Sequence, residues 1–296
     1  VGWCGGGEGA GVGQGVVAAG AEGGAGVRPC GGFASQGTVD GVTGDDAGGG
    51  GIAFGMDARV SPDALLGGVL AFSHTSISGA DAQVPNDLDV DTYQLGLYGS
   101  YGLAPGLDLN VQLDAGYNRN SENRTISFMG TSTSADYGGW TGHGGIGLVK
   151  EFAMSPRFAV SPSARVDYAQ VESEAYTESG AGALDLAVES QTYRELMLTA
   201  GLKADYRIDD HLYLSATAAA GYNTLDNQTQ IIASYAGGGA SFATNGPDVS
   251  PWLYTFGASL AGIRTGALDI SLTYEGQASP SSFLSQTGSL RFKMAF

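Results

Sequence analysis

The chain has 296 residues but contains no run of roughly 18 apolar residues, so it predicts no membrane-spanning helix. Cysteine is scarce, with two residues, which is too few for a disulfide scaffold. Whether Cys4 and Cys30 pair stays open at this point, although an oxidising compartment would permit it. Basic residues are also few: 13 Lys and Arg against 30 Asp and Glu give a net charge of −17. This balance argues against nucleic-acid binding, which needs a basic surface.

Residues that carry chemistry are equally sparse. The three histidines, His74, His143 and His211, show no zinc-ligand spacing. Gly48 to Gly51 lack the Lys-Ser/Thr of a phosphate-binding loop. The segment Asp87-Leu88-Asp89-Val90-Asp91 begins like a calcium loop, but the glycine and the distal glutamate of that motif are missing, so a solvated acidic loop is expected. The sequence therefore predicts no cofactor, no metal and no catalytic residue.

What the chain has in quantity is glycine, 50 residues, and an alternation of apolar and polar side chains. From Leu107 to Tyr117 every odd position is apolar and every even position is polar or glycine. The same period of two recurs over 196–206, 212–222 and 268–274. A period of two is the pattern of β-strands with one apolar face and one polar face.

Aromatic residues and turn lengths indicate which fold these strands build. In several strands the last residue of the apolar face is Tyr or Trp, as is typical of strands that end at a membrane interface. Tight turns alternate with long polar stretches, as in outer-membrane barrels. We therefore expect an all-β fold: a transmembrane up-and-down antiparallel β-barrel of about twelve strands with periplasmic N- and C-termini. The aromatic ends are Tyr117, Tyr168, Tyr206, Tyr222, Trp252 and Tyr274; the expected long loops are 36–50, 78–90, 119–138, 171–191, 224–250 and 276–287.

Alternation alone does not tell the inside of a sheet structure from its outside, and a soluble sandwich would bury the apolar face. The aromatic strand ends and the loop asymmetry favour the barrel, in which the polar face lines a wet lumen. Pairing across strands to stiffen the barrel is the favoured role of these charges, ahead of a selectivity filter. The expected lumen-lining residues are Asp57, Arg59, Asp108, Asp114, Arg165, Asp167, Lys203, Asp205, Asp269, Glu275, Arg291 and Lys293.

These features together resemble the translocator barrel of autotransporters, the type V secretion proteins of Gram-negative bacteria. The resemblance starts with the glycine-rich segment 31–37 and continues with 51–57, which is similar to the family's Gly-x-Asp strand. The turn at 61–63 and the strand at 66–73 follow in the family's order, and 274–276 precedes the last loop and strand. That last strand is similar to the family's assembly signal, with apolar residues at Leu290, Phe292, Met294 and Phe296.

The resemblance implies a fold, a location and partners. Residues 28–296 would form the translocator barrel in the bacterial outer membrane, with its loops at the cell surface, and residues 1–27 a Gly/Ala-rich linker that could thread the pore. The barrel would contact outer-membrane lipid, be inserted by the barrel-assembly machinery, and anchor and help to secrete its own passenger domain upstream. A stand-alone pore or surface adhesin is the first alternative. A barrel lipase or esterase that uses His143 is the weaker one.

Overall fold

The computed structural model describes residues 23–81, 85–225, 228–265 and 268–295, and these residues are almost entirely β-strand. They contain no helix of the length and hydropathy needed to span a membrane. The expected linker up to residue 22, Cys4 and Phe296 lie outside the described residues. The strands are β1 Gly23–Gln36, β2 Asp45–Ser61, β3 Ala64–Gly79, β4 Asn86–Ala104, β5 Leu107–Ile126, β6 Thr131–Lys150, β7 Phe152–Ser155, β8 Phe158–Ser173, β9 Tyr176–Thr177, β10 Leu186–Val188, β11 Gln191–Arg207, β12 Tyr213–Asn223, β13 Gln230–Tyr235, β14 Phe242–Asn245, β15 Trp252–Thr265, β16 Leu268–Ser279 and β17 Phe283–Ala295, with one 3₁₀ turn at Gly182–Leu184.

Twelve of these strands close into a single antiparallel barrel. Going around the wall, the order is β1 to β6, then β8, β11, β12 and β15 to β17, and β17 pairs back onto β1. The short β7 pairs with the first residues of β8 and is not one of the twelve strands of the ring. Closure leaves the wall without a free edge, which is what a bilayer requires because unpaired backbone groups in lipid cost several kcal/mol each. The predicted twelve-stranded antiparallel barrel is confirmed.

The first strand begins at Gly23, five residues before the expected start of the barrel. Gly24 lies between Asp57 of β2 and Ala295 of β17, and Gly26 lies between Gly55 and Lys293. Glycine has low strand propensity, so this segment reads as a linker by sequence. Hydrogen bonding to strands on both sides overrides that preference.

Three expected long loops are largely strand. The stretch 119–138 was expected to be loop, but β5 continues to Ile126 and β6 starts at Thr131. The stretches 78–90 and 276–287 shrink likewise to the segments 80–85 and 280–282. These strand ends project beyond the apolar band, where neither face of a strand meets lipid. Alternating hydrophobicity, on which the prediction depended, is therefore absent there although the backbone pairing continues.

Burial is inverted relative to a soluble protein. Leu70 and Leu113 are 61% and 58% exposed, whereas Asp57 and Lys293 are 8% and 6% exposed. Within the apolar band, apolar side chains point outward from the wall and charged ones point into the bore. A soluble sandwich would require the opposite arrangement, so the outer surface is suited to lipid.

Aromatic side chains border this apolar surface. At the end that carries the longer connections, Phe72 contacts Tyr93 with ring centroids 5.3 Å apart, and Tyr117 meets Trp140 edge-on at 5.0 Å. Tyr222 and Trp252 form a similar edge-to-face pair on the far side of the barrel. The opposite border carries exposed Tyr101, Phe152, Phe158 and Tyr206. Two such belts are typical of the interfaces of a bilayer.

We call the end of the barrel that carries the longer connections its upper end. Beyond the aromatic belt at this upper end, two long connections form a second sheet. Strands β9, β10, β13 and β14 pair in the order β14-β13-β10-β9. They belong to the β8–β11 and β12–β15 connections, of which the structure describes residues 174–190, 224–225 and 228–251. We call this four-stranded sheet and its flanking residues 174–190 and 228–250 the mouth cap. It joins the wall through a bridge between Ser134 of β6 and Ser179.

Candidate functional site: the lumen of the barrel

The bore of the barrel contains a cavity of about 1160 Å³. Most of its lining comes from the wall that runs from β16 and β17 through β1 to β5. Among the described residues that line it, six are acidic and five are basic, so the cavity lining is close to neutral although the whole chain carries −17. The acidic excess therefore lies elsewhere. The charged lining residues are Asp45, Asp57, Asp63, Asp108, Asp114, Glu275, Arg28, Arg59, Arg165, Arg291 and Lys293.

Lys293 and Asp57 form an ion pair in the lower part of this wall. The Lys293 Nζ lies 2.7 and 2.9 Å from the two carboxylate oxygens of Asp57. Tyr98 of β4 donates its hydroxyl hydrogen to the same carboxylate at 3.2 Å. Lys293 crosses over β1 to reach Asp57, and Gly24 lies beneath it with no side chain to obstruct it. Residues from β2, β4 and β17 are thereby tied together inside the bore.

A second cluster lies on the facing wall, where β5, β6 and β8 are neighbours. The His143 Nδ1 lies 2.8 Å from Asp114, and its Nε2 lies 2.9 Å from Asp167. Asp167 also accepts from the Arg165 Nε at 2.7 Å. Two carboxylate acceptors require an N–H on each ring nitrogen, so this geometry fits an imidazolium. Neither nitrogen is then available as a base for a nucleophile, and the geometry suits cross-strand pairing instead.

The other expected lumen residues are distributed around the wall. Lys203 pairs with Asp205 at 3.0 Å on β11, and Asp205 accepts from the Ser215 hydroxyl of β12. Asp269 lies opposite Lys293 in the register of β16 and β17. Of the twelve residues, Asp57, Arg59, Asp108, Asp114, Arg165, Glu275, Arg291 and Lys293 line the cavity; Asp167, Lys203, Asp205 and Asp269 do not.

Side-chain amides form a stripe along the inner face of β5. Asn110, Gln112, Asn118 and Asn120 all line the cavity at alternate positions. Asn110 is 4% exposed, and neither polar atom of its side chain has a hydrogen-bond partner among the described residues. A carboxamide offers one acceptor and donors like those of a peptide group. Two others are bonded within the wall: Gln112 donates to Asp114 at 2.7 Å, and Asn118 accepts from the Thr92 hydroxyl at 2.9 Å.

The last strand places its apolar residues on the outside. Leu290 and Met294 are exposed on the outer face, and Phe292 lies between them at the same parity. Arg291 and Lys293 point into the cavity. β17 therefore presents one apolar face to lipid and closes the barrel against β1.

Sequence reasoning missed a set of contacts at the upper mouth. Arg124 of β5 holds Glu178 of the mouth cap through two hydrogen bonds, of 2.7 and 2.5 Å. Tyr176 stacks on Tyr137 with ring centroids 4.1 Å apart and donates to Glu122 at 2.8 Å. They fall in 119–138 and 171–191, for which the sequence predicts long loops. The sequence signal that favours a strand here is the Thr- and Ser-rich run at 131–134, because Thr is enriched in β-strands.

The same region holds most of the apolar side chains that are shielded from solvent, as they would be in the core of a soluble protein. Among the described residues, the buried hydrophobic side chains are Ala53, Ile126, Ala135, Val188 and Ala233. Ile126 and Ala135 lie on β5 and β6, and Val188 and Ala233 are register partners within the mouth cap. Thr133, also on β6, is 1% exposed. The cap and the wall beside it therefore each bury small apolar side chains.

Comparison with known proteins gives a family match. The model of the autotransporter β-domain family matches residues 25–275. Among curated proteins, no sequence relative was found.

Solved structures show the same fold at low sequence identity. The translocator domain of the autotransporter NalP from Neisseria meningitidis superposes with a TM-score of 0.77 at 15% identity, covering 94% of this chain and 89% of that one. The β domain of the Bordetella autotransporter BrkA gives 0.65 at 15% identity, with coverages of 93% and 100%. The transport unit of AIDA-I from Escherichia coli gives 0.65 at 16% identity, with coverages of 92% and 90%.

Proposed function

Since the chain belongs to the autotransporter β-domain family, we propose that it anchors and helps to secrete its own passenger domain, joined to the N-terminal side of the barrel. The family and the fold place the barrel in the outer membrane. The mouth cap and the longer connections lie at the cell surface, and both ends of the barrel lie on the periplasmic side. Type V secretion is the transport class to which such translocator barrels belong.

The inverted burial of the wall is the observation that carries this proposal. Apolar residues such as Leu70 and Leu113 face outward, and ionised residues such as Asp57 and Lys293 face inward. Burying an apolar surface in lipid stabilises the barrel at about 25 cal/mol per Å², and the polar bore keeps a hydrated route open. A secretion route needs both properties.

The lumen residues are proposed to stiffen the wall and to keep it from holding a moving chain. Ion pairs such as Lys293–Asp57 and the His143 bridge satisfy charges within the wall itself. The lining has almost no net charge, so a passenger segment of either sign meets no strong attraction. The barrel has no catalytic role in this proposal.

Assembly is proposed to depend on the last strand. Leu290, Phe292, Met294 and Phe296 would present the apolar face that the barrel-assembly machinery recognises. The outward placement of the first three supports this, because a bound partner can reach them before lipid covers them.

The proposal is tested by fusing a small reporter domain upstream of Val1 and expressing the fusion with a cleavable export signal in a Gram-negative host. We expect external protease to digest the reporter on intact cells while the barrel resists. A reporter that stays in the periplasm although the barrel runs with heat-modifiable gel mobility would contradict the proposed secretion role.

A matched pair of variants tests the assembly face. Phe292→Ala changes an outward residue of β17, and Phe33→Ala changes an outward residue of the neighbouring β1. We expect Phe292→Ala to slow the appearance of the heat-modifiable form and Phe33→Ala to leave it close to wild type. Equal rates for both would remove the assembly proposal while leaving the secretion role standing.

A further inference from the structure

We propose that the mouth cap is a gate over the outer end of the bore, held shut by a latch between Arg124 of β5 and Glu178 of the cap. The inference builds on the proposed secretion function, because a chain leaving the bore would have to pass this point. It adds a closed resting state and names the contacts that maintain it.

The cap is a continuation of the barrel wall that curls inward. Above Gly138, the edge of β6 is no longer paired with β8, and the chain from Glu174 follows that edge to the bridge between Ser134 and Ser179. β9 then pairs with β10, and β10 with β13. The sheet thus leaves the circumference of the barrel and turns over its mouth.

Side-chain contacts show that the cap lies on the inner side of the wall. Residues of β5 at even positions line the cavity as far as Asn118 and Asn120, and Glu122 and Arg124 continue the same face. Tyr176 of the cap donates to Glu122, and Glu178 binds Arg124. The cap therefore covers the bore on the β5–β6 side and does not spread over the outer surface.

The latch is a buried and well-paired contact. The side chain of Glu178 is 3% exposed, and it also accepts the backbone N–H of Leu186 at 2.8 Å. Arg124 makes a further bond to the carbonyl oxygen of Leu184 at 3.3 Å. Removing either charge leaves the other buried without its partner, which strongly favours separation of cap and wall.

Besides the latch, the cap contacts the wall through the stack of Tyr176 on Tyr137, the hydrogen bond from Tyr176 to Glu122 and the bridge between Ser134 and Ser179. β9 and β10 contain two and three residues, and the buried apolar side chains are few and mostly small. Short strands with little buried surface open at low free energy compared with the whole barrel. A device of this kind can open without unfolding the wall.

The test uses the purified barrel, without passenger, in planar lipid bilayers, and measures the fraction of time in a conducting state. Arg124→Ala and Glu178→Gln remove the latch. Arg119→Ala is the matched control, because Arg119 lies on the same strand but points outward and is exposed.

A second arm of the test adds a removable cross-link between cap and wall. In a Cys4→Ser, Cys30→Ser background, it introduces Ser134→Cys together with Ser179→Cys. These residues are backbone partners, for which Cα atoms about 5.5 Å apart suit a disulfide.

We expect both latch variants to raise the conducting fraction at least about tenfold and Arg119→Ala to leave it unchanged. Oxidation of the cysteine pair should suppress openings in wild-type and latch-variant barrels, and reduction should restore them. Latch variants that conduct like Arg119→Ala would overturn the gate. If a latch variant fails to form a heat-modifiable barrel, the cysteine pair decides: openings that continue unchanged on oxidation also overturn it. Secretion plays no part in this measurement, so the gate and the proposed function can fail separately.

Discussion

Lys293 of the last strand reaches across the first strand to Asp57 of the second, with its Nζ 2.7 Å from Oδ2 and 2.9 Å from Oδ1. The contact is possible because the intervening position is Gly24; a Cβ atom there would lie 2.4 Å from the Lys293 Cε. The pair therefore fastens the seam at which the two ends of the barrel meet. Glycine in β1, which weakens a strand by itself, has a structural use at this point.

Lys293→Met should destabilise the barrel because it leaves the Asp57 carboxylate buried beside Tyr98 without a counter-charge. Breaking a buried pair costs about 3 to 5 kcal/mol, and the polar bore should reduce this to about 2 to 3 kcal/mol. The free energy of unfolding in urea, in detergent micelles, measures it. The double variant Lys293→Met, Asp57→Asn should recover much of the loss, and an unchanged deficit would contradict the pairing.

Gly67→Ala should also destabilise the barrel. In the register of β3 and β4, Gly67 lies opposite Tyr98, and a Cβ atom there would approach the aromatic ring to 2.3 Å. The ring must move, which also weakens its hydrogen bond to Asp57, at a cost of about 1 to 3 kcal/mol. Gly142→Ala on β6 is the matched control, because no atom of the described residues, its chain neighbours aside, lies within 4 Å of its ideal Cβ position. Similar unfolding free energies for both variants would show that the close approach carries no weight.

The mouth cap should respond to alkaline pH through Tyr176. Burial and the adjacent Glu122 carboxylate raise the pKa of Tyr176 above its ordinary value of 10, and the same causes raise the pKa of Tyr137. Above pH 10 the folded cap therefore holds protons that the opened cap releases, so its stability falls as pH rises further and is unaffected near neutrality.

Ultraviolet absorbance of tyrosinate during an alkaline titration measures this effect. We expect a late-ionising fraction that becomes smaller in Tyr176→Phe. A titration in which Tyr176→Phe leaves the late fraction unchanged would argue against burial of this phenol.

Trp140 and Trp252 should lie at the head-group level of one leaflet. Each pairs with a tyrosine, Tyr117 and Tyr222 respectively, where the apolar surface ends. In a Trp3→Phe background, lipids brominated near the head group should quench their fluorescence more than lipids brominated near the chain ends. Stronger quenching by the lipids brominated near the chain ends would place both tryptophans near the middle of the bilayer and would contradict this position of the apolar band.

The sequence by itself determined the strands that cross the apolar band, the number of strands and the face of each strand that is polar. The physical reason is local. Within the band, one face of each strand meets lipid and the other meets a polar bore, so apolar and polar residues alternate along the strand, as from Leu107 to Tyr117. The family resemblance depended on the same local features.

Tertiary structure alone decided the closing of the seam, the partners of the lumen charges and the mouth cap. Lys293 and Asp57 are 236 positions apart, and Arg124 and Glu178 are 54 apart, so no local pattern joins them. Above the band, neither face of a strand such as the end of β5 meets lipid, and the alternation between a lipid face and a bore face disappears there. Their pairing is set by backbone hydrogen bonds, which leave no period in the sequence.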